Sequence, residues 1–380
     1  MAPLRPYSKF FNTRYQETSK RALVLIDEPA ESQLWVRLNH LARTPSKGRP
    51  LFPPPLPNQN RLWIEFGNYI RQAAAYWNGA RKIDGSSAGL VYYYSLLNLA
   101  KAELLIANPG LIYGTKINHG LSFSHTDSKG PRSDRLTVQR GVFPSLYEHR
   151  TGRALPQGTQ LSVKSIMGNV PEIGLEFEES GLGSQGTKLG FGAVLADPAQ
   201  AWNVVYFLGE PIFPAKIREP AQRHFLRSFR EVDRPSAGHA LREMFGLSTR
   251  NPNRGTLYEL KSTFSDQGKP DLMAAERNLA TAIKPYGSGP GFYTCDFMLS
   301  PSLLKSHALP MPPSLARYAL MFYVSSLVRY RPSALDPIRH PEISWLIDLF
   351  VTESPLTFLL DAVIQITGQS ICYDRTYFRA

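Results

Sequence analysis

The sequence contains only two cysteines among its 380 residues, Cys295 and Cys372, and they lie in different segments. They form no metal-ligand spacing, so we expect unpaired thiols in a reducing compartment. No apolar run approaches the roughly 20 residues that a membrane-spanning helix needs. The N-terminal segment 1–21 is basic and polar and lacks the apolar stretch of a secretory signal. The sequence therefore predicts a cytoplasmic protein without a membrane span.

Acidic residues are also in short supply. There are 31 Asp and Glu residues against 43 Lys and Arg residues, which gives a net charge of +12. Arginine accounts for 29 of the 43 basic residues, and its guanidinium group suits bidentate contacts with phosphate. The excess charge favours a nucleic acid or another polyanion as the partner. The alternative is that the charges are spread over solvated faces with local ion pairs.

Two segments concentrate the positive charge. In the more strongly charged one, 216–254, four arginines recur at spacings of three and four, which predicts one helical face. Phe225 and Phe229 would then point into the core. The second, weaker segment is 129–153. The candidate nucleic-acid-binding residues are Arg223, Arg227, Arg230 and Arg234 in the first segment, and Arg132, Arg135 and Arg140 in the second.

Hydrophobic periodicity predicts helices near both ends of the chain. The first three cover 29–43, 61–82 and 88–107, with a proline-rich connector at 50–60. A Gly-Ser-Ser break between the second and third predicts a helical hairpin in which Ser86 or Ser87 is the N-cap. The predicted core side chains of the third helix are Tyr92, Tyr93, Leu96, Leu97, Leu99 and Leu104.

The centre of the chain has a different pattern. Segments GLEFEES, TKLGFGAVL, WNVVYFLG, TLYELKS and GFYTCDFML predict strands bounded by glycine and proline. After residue 313 three helices are predicted, the last beginning at Ser354-Pro355. The predicted fold is mainly α, with a helical bundle formed from both ends of the chain and an inserted α+β region. The predicted domain ranges are 1–60 for an N-terminal segment, 61–120 and 305–380 for the two parts of the bundle, and 121–304 for the insertion.

Short motifs for known chemistries fail on their context. Gly181 to Gly186 match G-x-G-x-x-G, but a strand rather than a helix is predicted to follow. Gly85 to Gly89 match G-x-S-x-G, but they lie between two helices instead of after a strand. Asp233 with Glu259-Leu-Lys261 is faintly similar to a metal-dependent nuclease arrangement, although the residues between them favour a helix. We therefore predict no metal site and no cofactor.

Arginine and histidine pairs are the remaining candidates for catalysis. Arg234 and His239 have the spacing used by one class of metal-independent ribonuclease, in which histidine moves a proton and arginine offsets phosphate charge. His119 follows the tyrosine-rich helix, where anchoring a loop is the alternative role. Arg329 and Arg331 close an apolar helix, where cations also suit the negative end of the helix dipole. These five residues are the candidate catalytic groups.

Two segments resemble the YaaC-like family of bacterial proteins. One is NYIRQAAAYWNGARKIDGSSAGLVYYYSLLNLAKAELL with the later HGL at 119–121. The other is LARYALMFYVSSLVRYRP followed by SWLIDLFVTESPLTFLL. They cover the two helical ends, and the resemblance implies an architecture rather than an activity.

The tyrosine-rich helix also resembles HEPN domains, helical bundles found in ribonuclease toxins, defence proteins and their non-catalytic relatives. The matching residues are two tyrosines, an Ala-Lys pair and a His-Gly after a loop, here Tyr93, Tyr94, Ala100, Lys101 and His119-Gly120. Where active members carry arginine and histidine, this chain has Val91 and Asn98. The resemblance therefore implies an inactive site, unless Arg329, Arg331 or His119 has taken over its work.

These observations favour a non-catalytic nucleic-acid-binding protein, directed at RNA in the first place. A role in prokaryotic defence or stress response is implied by the HEPN resemblance alone. Two alternatives stay open: a metal-independent ribonuclease, and a scaffold that binds a nucleotide or another protein. Whether the chain forms a homodimer is also left open.

Overall fold

The chain divides into two compact units. The first consists of residues 1–22 and 186–312, and the second of residues 23–185 and 313–380. In the computed structural model the described residues are 5–6, 23–25, 31–52, 58–113, 117–124, 126, 129–183, 187–197, 200–207, 225–231, 257–261, 297–299, 311–368 and 371–373.

Helices dominate the second unit. Numbered in chain order, they are α1 (Glu31–Arg43), α2 (Pro45–Gly48), α3 (Gln59–Ala80), α4 (Ala88–Ala107), α5 (Pro109–Ile112), α6 (Val142–Thr151), α7 (Val163–Met167), α8 (Gly174–Glu179), α9 (Pro313–Tyr330) and α10 (Pro341–Thr367). Short 3-10 turns precede α4, α8 and α10. The long helices α3, α4, α9 and α10 supply most of the core.

Helix α4 lies at the centre of this unit and contacts α3, α9 and α10. Its sequence is apolar on nearly all sides, as expected for a helix surrounded by protein. Gly89 allows α9 to approach closely, because a Cβ atom at this position would lie 2.6 Å from the Cγ1 atom of Val324. The core prediction for α4 is wrong only for Tyr92, whose side chain is half-exposed. Its ring lies 5.1 Å from that of Trp77.

Three sheets complete the described structure. In the second unit β3 (His119–Phe123), β4 (Arg135–Gly141) and β5 (Gln160–Ser162) form an antiparallel sheet, and β2 (Leu23–Leu25) pairs in parallel with β11 (Ile371–Tyr373). The strands of the first unit are β1 (Arg5–Pro6), β6 (Thr187–Asp197), β7 (Gln200–Phe207), β8 (Phe229–Glu231), β9 (Leu257–Leu260) and β10 (Phe297–Leu299). They form an antiparallel sheet in the order β1-β6-β7-β9-β8, with β10 also paired to β6.

Two local predictions are wrong. The segment GLEFEES forms helix α8 instead of a strand, and its buried residues, Gly174 and Phe177, are three positions apart, as on one face of a helix. Ser354-Pro355 does not start a new helix but lies inside α10. Proline removes one backbone hydrogen bond from a helix interior. The helix continues nevertheless, because Phe350 and Phe358 are both buried in the core on either side of it.

A buried ion cluster joins three elements of the second unit. Arg150 on α6 donates from Nε to Oε1 of Glu103 at 2.9 Å and from Nη2 to Oε2 at 2.6 Å. Its Nη1 atom donates to Oδ2 of Asp361 on α10. Burial lowers the pKa of Arg150, but the two carboxylates outweigh burial and raise the pKa above its usual value. Arg317 on α9 is also buried and pairs with Glu172 at 2.7 Å. Part of the arginine excess is therefore internal and unavailable to a partner.

The mainly α fold with additional β structure is confirmed. No described helix is long and apolar enough to cross a membrane.

Candidate functional site

A β-bulge positions His119 at the start of β3. His119 pairs with Gly141 and Leu121 pairs with Val138, so β4 has one extra residue between the two pairs. Bulges of this kind redirect the neighbouring side chains. Gly120 follows with a φ of +85°, a backbone conformation that glycine adopts readily. A Cβ atom at Gly120 would lie 2.5 Å from Cδ of Pro144 and 2.7 Å from the backbone nitrogen of Phe143.

His119 contacts the central helix through a tyrosine. Its Nδ1 atom lies 3.0 Å from the hydroxyl of Tyr93 on α4. Burial is the main cause that raises the pKa of Tyr93 well above its usual value, and the neighbouring Tyr318 also raises it. The Tyr93 hydroxyl therefore stays protonated. The imidazole is half-buried, and its ring also lies against Phe322 at 6.4 Å between centroids.

Two cations act on His119. Its pKa is lowered by burial first, then by the charges of Arg329 on α9 and Lys101 on α4. The imidazole is consequently neutral at pH 7. Residues from α4, β3 and α9 thus form one group, which we call the His119 cluster: Tyr93, Lys101, His119 and Arg329.

Arg329 has a fixed position at the end of α9. Its Nε atom donates to the backbone carbonyl of Ser325 at 3.1 Å, and its guanidinium carbon lies 5.1 Å from the ring centroid of Tyr330. Within the described part of the chain, no carboxylate forms an ion pair with Arg329. The charge of Arg331, by contrast, acts on Tyr323, which donates to Asp134 at 2.8 Å. The structure therefore brings Arg329 and His119 together.

Tyrosines extend from this cluster along the α3–α4 hairpin. The rings of Tyr76 and Tyr94 lie 5.4 Å apart with an interplanar angle of 31°. Seven residues earlier on α3 and seven residues later on α4, Nζ of Lys101 lies 5.7 Å from the ring centroid of Tyr69. Tyr76 is 39% exposed, and the other three side chains are half-exposed. We call Tyr69, Tyr76 and Tyr94 the tyrosine face.

One carboxylate adjoins this surface. Burial and a hydrogen bond with Glu65 raise the pKa of Tyr69, and the charge of Glu65 also acts on Lys101, whose pKa is lowered by burial. Glu65 offsets part of the positive charge at this end. Of the two cations, Arg329 lowers the pKa of His119 more than Lys101 does.

The more strongly charged basic segment belongs to the other unit. Arg227 and Arg230 are exposed there, while Phe225 and Phe229 are buried and stacked at 4.5 Å, so their predicted place in the core is confirmed. Arg230 lies on strand β8, and the prediction that four arginines share one helical face is therefore wrong at this position. Arg223, Arg234 and His239 lie outside the described residues.

In the second basic segment Arg132, Arg135 and Arg140 are all exposed. Arg132 donates to the backbone carbonyl of Gly181 at 3.3 Å. Arg135 and Arg140 lie on β4, and Arg140 directly precedes Gly141, the residue paired with His119.

The residues considered for HEPN-type catalysis, nuclease chemistry and metal binding do not form a site in the described part of the chain. Asn98 on α4 is buried and donates to the backbone carbonyl of Tyr94 at 2.8 Å, and Val91 is half-buried. Lys261, considered above with Glu259, donates from Nζ to the carbonyl of Leu226 at 2.6 Å. In the parts of both units that the structure describes, no group of three or more His, Cys, Asp or Glu side chains could hold a metal ion.

Sequence reasoning named His119 and Arg329 but missed Lys101 and the tyrosine face as site residues. The sequence does contain a spacing pattern that could have identified them. Tyr69 and Tyr76 are seven residues apart, as are Tyr94 and Lys101. In a tight antiparallel hairpin such equal spacings place the residues opposite each other along the same two helices.

Comparison with known proteins agrees with this architecture at the level of family. The model of the YaaC-like protein family matches residues 58–363, which is most of the chain. The protein belongs to the YaaC-like family. No curated protein and no solved structure matches the chain.

Proposed function

We propose that this protein binds nucleic acid, RNA in the first place, at the His119 cluster without cleaving it. The observation that carries the proposal is that the charges of Lys101 and Arg329 both act on the half-buried His119, while Nζ of Lys101 also lies over the half-exposed ring of Tyr69. Cations on one surface attract the phosphate backbone. A neutral imidazole that accepts from Tyr93 at Nδ1 presents its Nε2–H group as a further donor.

The test is to remove the positive charges of Lys101 and Arg329 one at a time. Lys101→Gln and Arg329→Gln should each weaken binding of a fluorescein-labelled mixed-sequence RNA about tenfold at low salt, or about 1.4 kcal/mol. Each should also reduce the slope of log K against log salt by about 0.7, the value for one phosphate contact on a single strand. Fluorescence anisotropy between about 50 and 200 mM salt gives both quantities.

The matched control is Lys164→Gln, because Lys164 is exposed on α7, which contributes nothing to the His119 cluster. It removes the same charge from the protein but should leave the affinity and the salt slope close to those of the wild type. Equal losses in Lys101→Gln and Lys164→Gln would mean that net charge alone drives binding, and the proposed site would then be wrong.

We further infer that the α3–α4 hairpin and α9 form a HEPN-like bundle. Its support is the position of Tyr93 on α4 facing the His-Gly pair, together with Val91 and Asn98 where active members carry their catalytic pair. A role in prokaryotic defence or stress response rests on that inference.

One observation favours a second candidate function, a metal-independent ribonuclease. In its other tautomer His119 donates from Nδ1 to the Tyr93 oxygen and presents a bare Nε2 atom, which can accept a proton from a 2′-hydroxyl. Lys101 and Arg329 would then offset the charge that develops on the phosphate.

If this second candidate holds, labelled RNA will be cleaved in the presence of EDTA, and His119→Ala will abolish cleavage while Lys164→Gln retains it. Burial, and then the charges of Arg329 and Lys101, lower the pKa of His119 below its usual 6.5, so the base should stay active below pH 6.5 and lose activity only as the pH falls further. Gel analysis across a pH series measures this. Intact RNA at every pH would eliminate the ribonuclease and leave the binding proposal standing.

A further inference from the structure

The tyrosine face and the His119 cluster are linked by two residues. Lys101 belongs to both, because its Nζ atom lies over the ring of Tyr69 and its charge acts on His119. Tyr93 connects them from within the core: it is fully buried, its ring lies 5.8 Å from that of Tyr94 and its hydroxyl reaches His119. A ligand bound at Lys101 would therefore lie next to the half-exposed ring of Tyr69.

The geometry of the rings is suited to stacking. The pair of Tyr76 and Tyr94 and the pair of Tyr69 and Lys101 are seven residues apart on each helix, about 10.5 Å along the helix axis. Tyr76 is the most exposed of the three tyrosines, with 39% of its surface accessible to solvent. An aromatic side chain in contact with water can stack on any nucleobase, because every base has a π face.

We propose that the nucleic acid bound here is single-stranded, with its phosphates at Lys101 and Arg329 and its bases stacked on the tyrosine face. This inference rests on the proposed binding function and specifies its substrate class. In a duplex the base faces are already covered by neighbouring pairs, so the tyrosines would gain nothing from it. An unpaired strand offers both the charge and the free base faces.

The experiment compares a single-stranded U12 RNA, a dT12 DNA and a duplex of the same length by fluorescence anisotropy at low salt. We expect both single strands to bind about tenfold more tightly than the duplex, since stacking tolerates either sugar. Tyr76→Ala should weaken single-strand binding about tenfold and leave the salt slope unchanged. Tyr76→Phe retains the ring and should bind like the wild type.

A second measurement does not depend on a substitution. Photo-crosslinking with a 5-bromouridine 12-mer should link the RNA to peptides from α3 or α4, identified by mass spectrometry. Crosslinks confined to other parts of the chain would contradict the inference.

The two proposals fail differently. If the wild type binds no nucleic acid at low salt, both the proposed function and the single-strand inference are wrong. If the wild type binds with the expected salt dependence, but the duplex binds as tightly as U12 and Tyr76→Ala has no effect, only the single-strand inference is overturned.

Discussion

Arg150→Met should destabilise the protein by about 3–5 kcal/mol, because it leaves two buried carboxylates without their cation. Glu103 and Asp361 are both buried, and their charges are compensated by bonds from Nε, Nη1 and Nη2 of Arg150. A loss of this size corresponds to a decrease in Tm of about 10 °C. Differential scanning fluorimetry measures it.

Removing the two carboxylates together with the arginine should reverse the effect. In the triple variant Arg150→Met/Glu103→Gln/Asp361→Asn no buried charge remains, and most of the lost stability should return.

Arg135→Met is the matched control for this prediction. Arg135 is exposed on β4, and the same substitution there should change stability by no more than about 0.5 kcal/mol. Similar decreases in Tm for the two variants would show that burial of the ion cluster is not the cause.

Gly120→Ala should cost about 3 kcal/mol, from backbone strain at positive φ together with steric overlap. The new methyl group would lie 2.5 Å from Cδ of Pro144 and 2.7 Å from the backbone of Phe143, so α6 has to move away from the bulge. Because Gly120 follows His119 directly, the imidazole should lose its position relative to Tyr93. Thermal unfolding measures the first effect, and a reduced affinity for RNA measures the second.

Gly158→Ala separates the two contributions. Gly158 has the same φ of +85°, but a Cβ atom there meets nothing within 4 Å. It should therefore show only the conformational cost of about 1 kcal/mol and bind RNA like the wild type. Equal destabilisation in the two variants would mean that packing against Pro144 and Phe143 contributes nothing.

Local sequence patterns predicted the long helices well. The limits of α1, α3, α4 and α9 follow the apolar periodicity, and Pro332 stands just after the end of α9, as a residue that interrupts a helix should. The patterns failed where burial overrode local preference. Pro355 lies within α10 because burial of the apolar residues around it stabilises the helix by more than the loss of one backbone hydrogen bond destabilises it.

The site was less accessible to sequence reasoning than the helices. His119 and Arg329 were both named as candidates, but 210 positions separate them in the sequence, and nothing local indicates that α9 brings them together. Arg150 was counted as part of a basic surface segment, whereas it is buried and neutralised by carboxylates from α4 and α10. Charge counts carry no information about burial, which depends on partners distant in the chain.

By itself the sequence determined the family, the mainly α composition and the helical hairpin with its tyrosines, because apolar periodicity and helix-end residues are encoded locally. Tertiary structure alone decided which of the described arginines face solvent and which side chains meet His119. The physical reason is that burial and charge interactions act between neighbours in space, and the neighbours of His119 come from helices at opposite ends of the chain.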